Sequence, residues 1–484
     1  MKLFRIRGGI HPEYRKEMTA GKAIEPLPMP ALLHLPLQQH IGAPAVPVVA
    51  AGDRVRKGQL LARARGEISA PVHASTSGRV VDILPFAAPH PSGLPQPTIL
   101  LEPDGLDEWT DLPPPLDPFA APREEIARRV AECGVVGMGG GTFPSAVKLD
   151  LGRKFPIDVL VINGAECEPY LTCDDRLMRE RTAEVVDGVR IMARALGVER
   201  IVIAIEKNKP EALAAMTAES AAFAEIAVVP LPTRYPMGSE RHLVTALTGR
   251  ETPARKLTAD IGVVVHNIAT ARAVHHAVRL GRPLISRVVT VSGRAVREQK
   301  NLDVPLGTLV SQLIEFCGGL AEPPVHYLSG GPMMGQAMPG REVPVVKGTS
   351  GILALTAAEA HERDTMPCIR CGGCVTACPC GLVPVEMAQM IRHEKLDAAA
   401  RIGLLDCLNC GSCAYVCPAH IPLVQYFNYG KGRLAALQRD RRKQEMTKRL
   451  AEQRAERVER LDRERKAKLA AAKKAAAEKQ EGGA

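Results

Sequence analysis

Two cysteine runs of identical spacing lie near the C-terminal end of this 484-residue chain: Cys368, Cys371, Cys374 and Cys378 followed by Pro379, and Cys407, Cys410, Cys413 and Cys417 followed by Pro418. Each reads C-x2-C-x2-C-x3-C-P, the ligand spacing of a [4Fe-4S] cluster. A tight loop can turn three thiolates, each two residues from the next, onto three irons of one cubane, while the fourth falls beyond a turn. Zinc sites use C-x2-C pairs or Cys/His mixtures, so a doubled four-cysteine run with trailing prolines fits zinc poorly. Disulfides fit less well still. The chain begins MKLFRIRGG with no apolar signal segment behind the basic residues, and this points to a reducing compartment. The chemistry that remains is single-electron transfer.

The doubled run resembles that of two-cluster ferredoxins, in which the fourth cysteine of each run ligates the other cluster. The resemblance implies one cluster on Cys368, Cys371, Cys374 and Cys417 and a second on Cys407, Cys410, Cys413 and Cys378. Cys380 then has no open iron to bind and reads as a spare thiol. Cys133, Cys167, Cys173 and Cys317 are isolated, the pattern of small core hydrophobes.

At this length one core is not enough, and three or four compact units are expected. Nowhere does the chain approach the roughly 18 uninterrupted apolar residues of a membrane-spanning helix. A net charge of +10 raises the question of nucleic acid, but its distribution answers it. From Lys431 to the end there are 18 Lys/Arg against 9 Asp/Glu, leaving 45 against 44 for everything before. The basic character therefore belongs to the tail, 431–484. Rich in Ala, Glu, Lys and Arg, the tail reads as a long exposed helix or a disordered segment. A solvated charged helix, an anionic membrane surface and an acidic partner all remain open for it. Nucleic acid is disfavoured, because no aromatic side chain is there to stack on bases.

Residues 1–110 alternate short β-type runs with turns and contain "VPVVAAGDRVRKGQLLARA" and "APVHASTSGRV". These resemble the barrel-sandwich domains that carry lipoate or biotin. The tip where a carrier would place its modified lysine falls near Arg65, Gly66 and Glu67, and no lysine occurs between Lys57 and Lys148, so the unit reads as unmodified and structural. His73 within it reads as a turn residue. "DLPPPLDPFAAP" follows as a linker, since its prolines suit neither helix nor ladder. Over 123–283 apolar β-branched runs alternate with helical patterns, which implies an α/β domain with a parallel sheet. A small β-grasp domain over 284–345 and a mainly helical dicluster module over 360–430 complete the expected multidomain α/β chain.

The second chemical signal is "CGVVGMGGGTFPSAVKL", residues 133–149. Its glycines allow close approach of backbone to an anion, a helix is expected to start near Pro144, and Lys148 adds charge. With "NGAECEPY" at 163, "YPMGSE" at 235 and "HNIAT" at 266, this loop resembles, segment by segment and in order, the NADH- and FMN-binding flavoprotein subunit of respiratory complex I. The resemblance implies that Gly137, Gly139, Gly140 and Lys148 surround FMN, that Asn163, Glu166, Tyr235, Glu240 and Asn267 hold it from the later loops, and that Phe143 and Glu168 face the nicotinamide nucleotide. No catalytic acid or base is implied.

The order of barrel-sandwich, flavin, β-grasp and dicluster units, with a basic tail, is similar to the RnfC (RsxC) subunits of the Rnf (Rsx) ion-translocating electron-transport complexes. That family implies a peripheral subunit, without a transmembrane segment of its own, on the cytoplasmic face of the inner membrane. Electrons would pass between NADH and ferredoxin, or another iron–sulfur subunit, through FMN and two [4Fe-4S] clusters, coupled to ion translocation. Met138, Ala165 and Ser239 depart from the flavoprotein pattern and keep a rival reading open: a relay and docking subunit with a degenerate nucleotide site.

Overall fold

The computed structural model describes residues 3–90, 92–360 and 363–481. The chain forms two compact units, Met1–Pro384 with Leu408–Pro422, and Val385–Cys407 with Leu423–Ala484.

The first unit opens with two small antiparallel sheets. One is ordered Leu33–Pro36, Pro95–Pro103, Gly78–Ala87, Arg54–Val55, the other Val46–Pro47, Leu60–Arg63, Val72–His73. Alternation places Leu33, Leu35, Val80, Ile99 and Leu101 in the core, as a half-buried strand requires. His73 corrects the sequence reading: it lies in a strand and not a turn, and burial pushes its imidazole down to about 3, so it stays neutral. The proline-rich stretch is docked, with Leu116 N donating to Val278 O and Arg129 donating to Pro114 O.

Next comes a four-stranded parallel sheet in the order Ile226–Leu231, Arg200–Glu206, Val159–Gly164, Val263–Asn267. Its runs VLVING, RIVIAIE and VVVHN are apolar on consecutive positions because both faces are covered, mainly by helices. The helices Thr182–Leu196 and Ile268–Leu280 pack on one another and bury Val185, Val189, Met192, Val274 and Val278. Chain order reverses beside the Val159–Gly164 strand, where Val263–Asn267 joins on the side away from the strands that precede it. In open α/β sheets such a reversal leaves a crevice at the strands' carboxyl ends.

A six-stranded mixed sheet follows, ordered Ile24–Pro26, Lys300–Pro305, Ser286–Ser292, Gly351–Leu355, His326–Ser329, Gln336–Ala337, with the helix Val310–Phe316 beside it. Its outer and central members Ile24–Pro26 and Gly351–Leu355 come from outside 284–345, so the sheet ties the N-terminal segment to the rest.

In the second unit the helix Leu396–Arg401 and the turn Leu404–Asp406 pack on the start of the helix Leu423–Glu481. Gly430 makes this possible, since an added Cβ would stand 2.9 Å from Ile391 Cδ1 and 3.1 Å from Leu404 Cδ2. Past Leu434 the helix is almost wholly exposed. Among the described residues no helix is long and apolar enough to cross a membrane.

Lys347 has no exposed surface, and its ammonium donates to Pro71 O and Gly134 O, each at 2.7 Å, thereby joining the barrel-sandwich to the α/β region. Burial pushes it from 10.5 down to about 7. Between those values the unfolded chain holds more protons here than the folded one, so this position adds stability as pH rises from about 7 toward 10.5. Lys347→Met should leave both carbonyls unpaired, lower stability by roughly 2–5 kcal/mol, and flatten that rise. Denaturant melts of both proteins across this pH range test it, and equal slopes would refute it.

Candidate functional site

The crevice at the strand reversal is where three of the four singled-out loops meet. Asn163 and Asn267 are register partners at the carboxyl ends of adjacent strands. Asn163 Nδ2 donates to Gly238 O at 2.8 Å and its Oδ1 accepts from Ala165 N, so it holds the 235–240 loop in place. Asn267 starts the Ile268–Leu280 helix by accepting from Ala269 N, and donates to Asp174 Oδ2 at 2.6 Å. The glycine loop lies against it: a Cβ on Gly139 would stand 3.3 Å from Asn267 Cβ.

That loop closes on itself through Gly137 N to Phe143 O and Thr142 N to Gly137 O. Met138 N donates to Thr270 Oγ1, and Met138 O accepts from the buried Arg287. Gly139, Gly140 and Gly141 are left exposed, and added Cβ atoms at Gly140 and Gly141 would meet open space. The expected helix after the loop is a single turn, Ser145–Leu149, continued by a 3-10 turn, Asp150–Arg153. It is too short for a substantial macrodipole, so charge for an anion falls mainly to Lys148. Lys148 Nζ lies 3.2 Å from Glu240 Oε2 and donates to Val265 O, and Glu240 also accepts from Thr258. Three buried polar atoms around this crevice have no hydrogen-bond partner: Ser145 Oγ, Asp174 Oδ1 and His266 Nε2. His266 is kept neutral by burial and by Lys148, with its imidazole pushed down to about 3. An anionic, polar-edged ligand suits open glycines, one lysine and these atoms.

Two of the acidic residues singled out are spent inside the protein. The Glu166 carboxylate accepts from Asp174 N and Asp175 N and so caps the helix Cys173–Glu180. Glu168 accepts from Met333 N at 3.0 Å and Met334 N at 2.9 Å, and burial pushes its carboxyl up to about 7 against the pull of those amides. Tyr235 lies away from the glycine loop. It has no exposed surface, its hydroxyl donates to Cys410 O at 2.7 Å, and the same oxygen stands 3.4 Å from Glu168. Phe143 is half-buried in the closing turn of the glycine loop.

Lys16 and Lys209 support the 163–171 loop and carry no signal in the sequence. Lys16 Nζ donates to the carbonyls of Glu166, Glu168 and Leu171. Lys209 Nζ donates to Ala165 O at 2.7 Å and pairs with Glu206. Their partners are 35 residues or more away apart from Glu206, beyond the reach of any local pattern.

The two cysteine runs have the same backbone. Left-handed residues recur two, four and thirteen positions after each first cysteine: Arg370, Gly372 and Gly381, then Asn409, Gly411 and His420. These curl the chain around the cysteines, and the short helices Gly373–Ala377 and Ser412–Tyr415 pack together. The charge of Cys378 is felt at Cys410, while Met366 N donates to Ala419 O, so the end of each run lies by the other. The runs dock on the α/β region through residues 8–10. Gly9 N donates to Ala377 O, Ile10 and Tyr235 exchange backbone bonds, and His242 Nε2 donates to Pro379 O. Gly8 is required there, as a Cβ would lie 2.4 Å from Cys378 O. Cys133, Cys167 and Cys317 are buried, and burial pushes each thiol up to about 12, as expected of core residues.

Tyr235→Phe should leave the Cys410 carbonyl without its buried hydroxyl and cost about 1–3 kcal/mol. It should also alter the electron paramagnetic resonance spectrum of the reduced protein. A melting temperature and spectrum equal to the parent's would show the hydroxyl to be dispensable.

Comparison with known proteins bears on these sites directly. Residues 4–106 match the RnfC barrel sandwich hybrid domain, 130–276 the Nuo51 FMN-binding domain, 288–337 the SLBB domain and 360–418 a 4Fe-4S dicluster domain. The RnfC-type subunit of the ion-translocating oxidoreductase complex of Rhodobacter capsulatus is 60% identical over 441 residues, 90% of this chain and 85% of that one. Its counterpart in the proton-translocating ferredoxin:NAD(+) oxidoreductase complex of Clostridium ljungdahlii is 47% identical over 429 residues, 88% of this chain and 93% of that one. FMN and iron–sulfur clusters are the cofactors of such a chain, and the open glycine crevice and the curled cysteine loops fit them. With its four domains in this order and relatives matched over most of their length, the chain belongs to the RnfC family, one of the subunit families of the ion-translocating oxidoreductase (Rnf) complexes.

Proposed function

We propose that this chain is the peripheral electron-input subunit of an inner-membrane complex, placed on its cytoplasmic face. There it would couple electron transfer between NADH and a ferredoxin, or another iron–sulfur subunit, to ion translocation. The observation that carries the reading is the buried connection Glu168–Tyr235–Cys410, which ties the crevice loop to the cysteine runs. The name of the Clostridium ljungdahlii relative supports NAD and ferredoxin as the two ends.

Bound FMN would supply the exchange between a two-electron hydride and the single electrons that [4Fe-4S] clusters carry. The protein's part is placement. Gly137, Gly139 and Gly140 admit the cofactor to the backbone, Lys148 offers its charge with Glu240 orienting it, and Asn163 and Asn267 fix the crevice floor. Phe143 and Glu168 bound the side toward the nicotinamide nucleotide. For the clusters, the closeness of Cys378 to Cys410 and of Met366 to Ala419 supports the crossed ligand sets, Cys368, Cys371, Cys374 and Cys417 with Cys407, Cys410, Cys413 and Cys378.

One observation favours a relay that does not turn over NADH. The Glu168 carboxylate already serves two amides and a hydroxyl, so it has little left for a nucleotide. Purified with clusters intact, the chain should retain FMN, and added NADH should bleach the flavin band. Lys148→Met should cut flavin content several-fold with iron unchanged. If no flavin is retained and NADH bleaches nothing, the relay reading replaces this one. Cys374→Ser and Cys413→Ser should each remove about half of the iron, from different clusters, and unchanged iron in both would sink the ligand assignment.

A further inference from the structure

The helix Leu423–Glu481 carries a pattern that its overall composition hides. Beginning at Arg439 and stepping by four, three, four, four, three, four, four, three and four residues, every position is cationic or apolar. The cationic ones are Arg439, Lys443, Arg454, Arg457, Arg465 and Lys468, and the apolar ones Met446, Leu450, Leu461 and Ala472. These steps are those of a helix face, so all ten share one ridge, about 50 Å long at 1.5 Å per residue. Val458 and Leu469 broaden it, each four residues beyond an arginine of the ridge. Met446, Leu450, Val458, Leu461 and Leu469 are all more than half exposed.

The acidic residues are segregated from this ridge. Glu445, Glu452, Glu456 and Glu459 each fall two residues beyond a ridge position, a rotation of about 200°. Asp440, Asp462 and Glu464 stand one residue off it, at the sides. The tail's ion pairs, Lys448 with Glu452 at 4.0 Å and Arg463 with Glu459 at 3.2 Å, join residues of the far side. Among the described residues the six ridge cations make no ion pair. The charges that could neutralise them are thus kept on the other face.

The spacing also selects the kind of surface. Its repeat is eleven residues in three turns, 3.67 per turn and close to the natural 3.6, so the ridge runs nearly straight and does not coil around a partner helix. With six cations in ten positions it cannot form an apolar coiled-coil seam. An interfacial helix has this composition, apolar side chains entering a boundary that basic ones grip from outside. We propose that the tail helix lies along an anionic phospholipid surface, ridge down, so that the chain contacts lipid directly as well as through other subunits. This inference is independent of the flavin reading.

Full-length, cluster-loaded protein sedimented with vesicles tests it. The protein should come down with phosphatidylcholine vesicles containing phosphatidylglycerol, not with phosphatidylcholine alone, and high salt should release it. Each lysine or arginine near an anionic surface is worth about 1 kcal/mol, so the triple variant Arg454→Gln, Arg457→Gln, Arg465→Gln should lose at least about tenfold in affinity. The far-side triple Lys448→Gln, Arg463→Gln, Lys466→Gln removes the same charge and should lose less than about threefold. Glutamine is a good helix former, and circular dichroism checks that both variants keep the helix. Absence of binding to anionic vesicles, equal binding to both vesicle types, or equal loss in the two triples would overturn the proposal. Binding to poly-L-glutamate but not to vesicles would also overturn it, and would point to a protein partner.

Discussion

A single ammonium holds the segment on which both cofactor regions depend. Residues 163–171 leave the parallel sheet as irregular chain in a buried place, where backbone carbonyls have no ladder and no water to bond. Lys16 meets this constraint by directing its three donors at the carbonyls of Glu166, Glu168 and Leu171. The cost of burying that charge is met by the carboxylates gathered around it, with Glu166 and Glu206 the nearest favourable charges. Once the loop is fixed, Glu166 can cap a helix on one side and Glu168 can bind the 333–334 amides on the other. A loop held at one point thus serves a crevice and a docking surface together.

How much of this was legible in the sequence follows from how local each signal is. The cysteine runs were readable because three thiolates on one cubane demand short fixed spacings, and the recurring left-handed residues are the backbone's share of the same demand. The parallel sheet was readable because strands covered on both faces must be apolar at successive positions. The glycine loop was readable, but the helix after it was not: Pro144 marks its start, and nothing nearby shows that it stops after one turn. Glu166 and Glu168 stood out as acidic residues in a matching motif. What occupies their carboxylates is set by amides whose positions only the folded chain defines. Lys16 was invisible for the same reason, since its partners lie about 150 residues away.

The residues of the four loops fall into two groups once their partners are known. Gly139, Gly140, Lys148 and Asn267 border open space or polar atoms without partners, as the rim of a ligand site should. Glu166, Glu168 and Tyr235 are enclosed and bonded, as a scaffold should be. A motif match does not separate these groups, because the same segment supplies both: Asn163 at its start faces the crevice and Glu168 near its end faces the cysteine runs. The boundary between them runs through the chain at Ala165, whose carbonyl is taken by Lys209.

That division explains why Tyr235 has no exposed surface although it belongs to a loop matched to a flavin protein. Electron transfer between two cofactors needs a fixed, water-free separation, and a hinge between domains would not hold one. Here the separation is set by bonds that are individually modest, roughly 1 kcal/mol each, but that converge on few atoms. Ile10, Tyr235, Cys167, Ala377 and Cys410 form one buried cluster, and Gly8 lets the chain pass within contact of Cys378. Any change at Tyr235 or Glu168 must therefore be felt on both sides of it. The cysteine runs and the crevice behave as one structural element, and their chemistry cannot be altered independently through this loop.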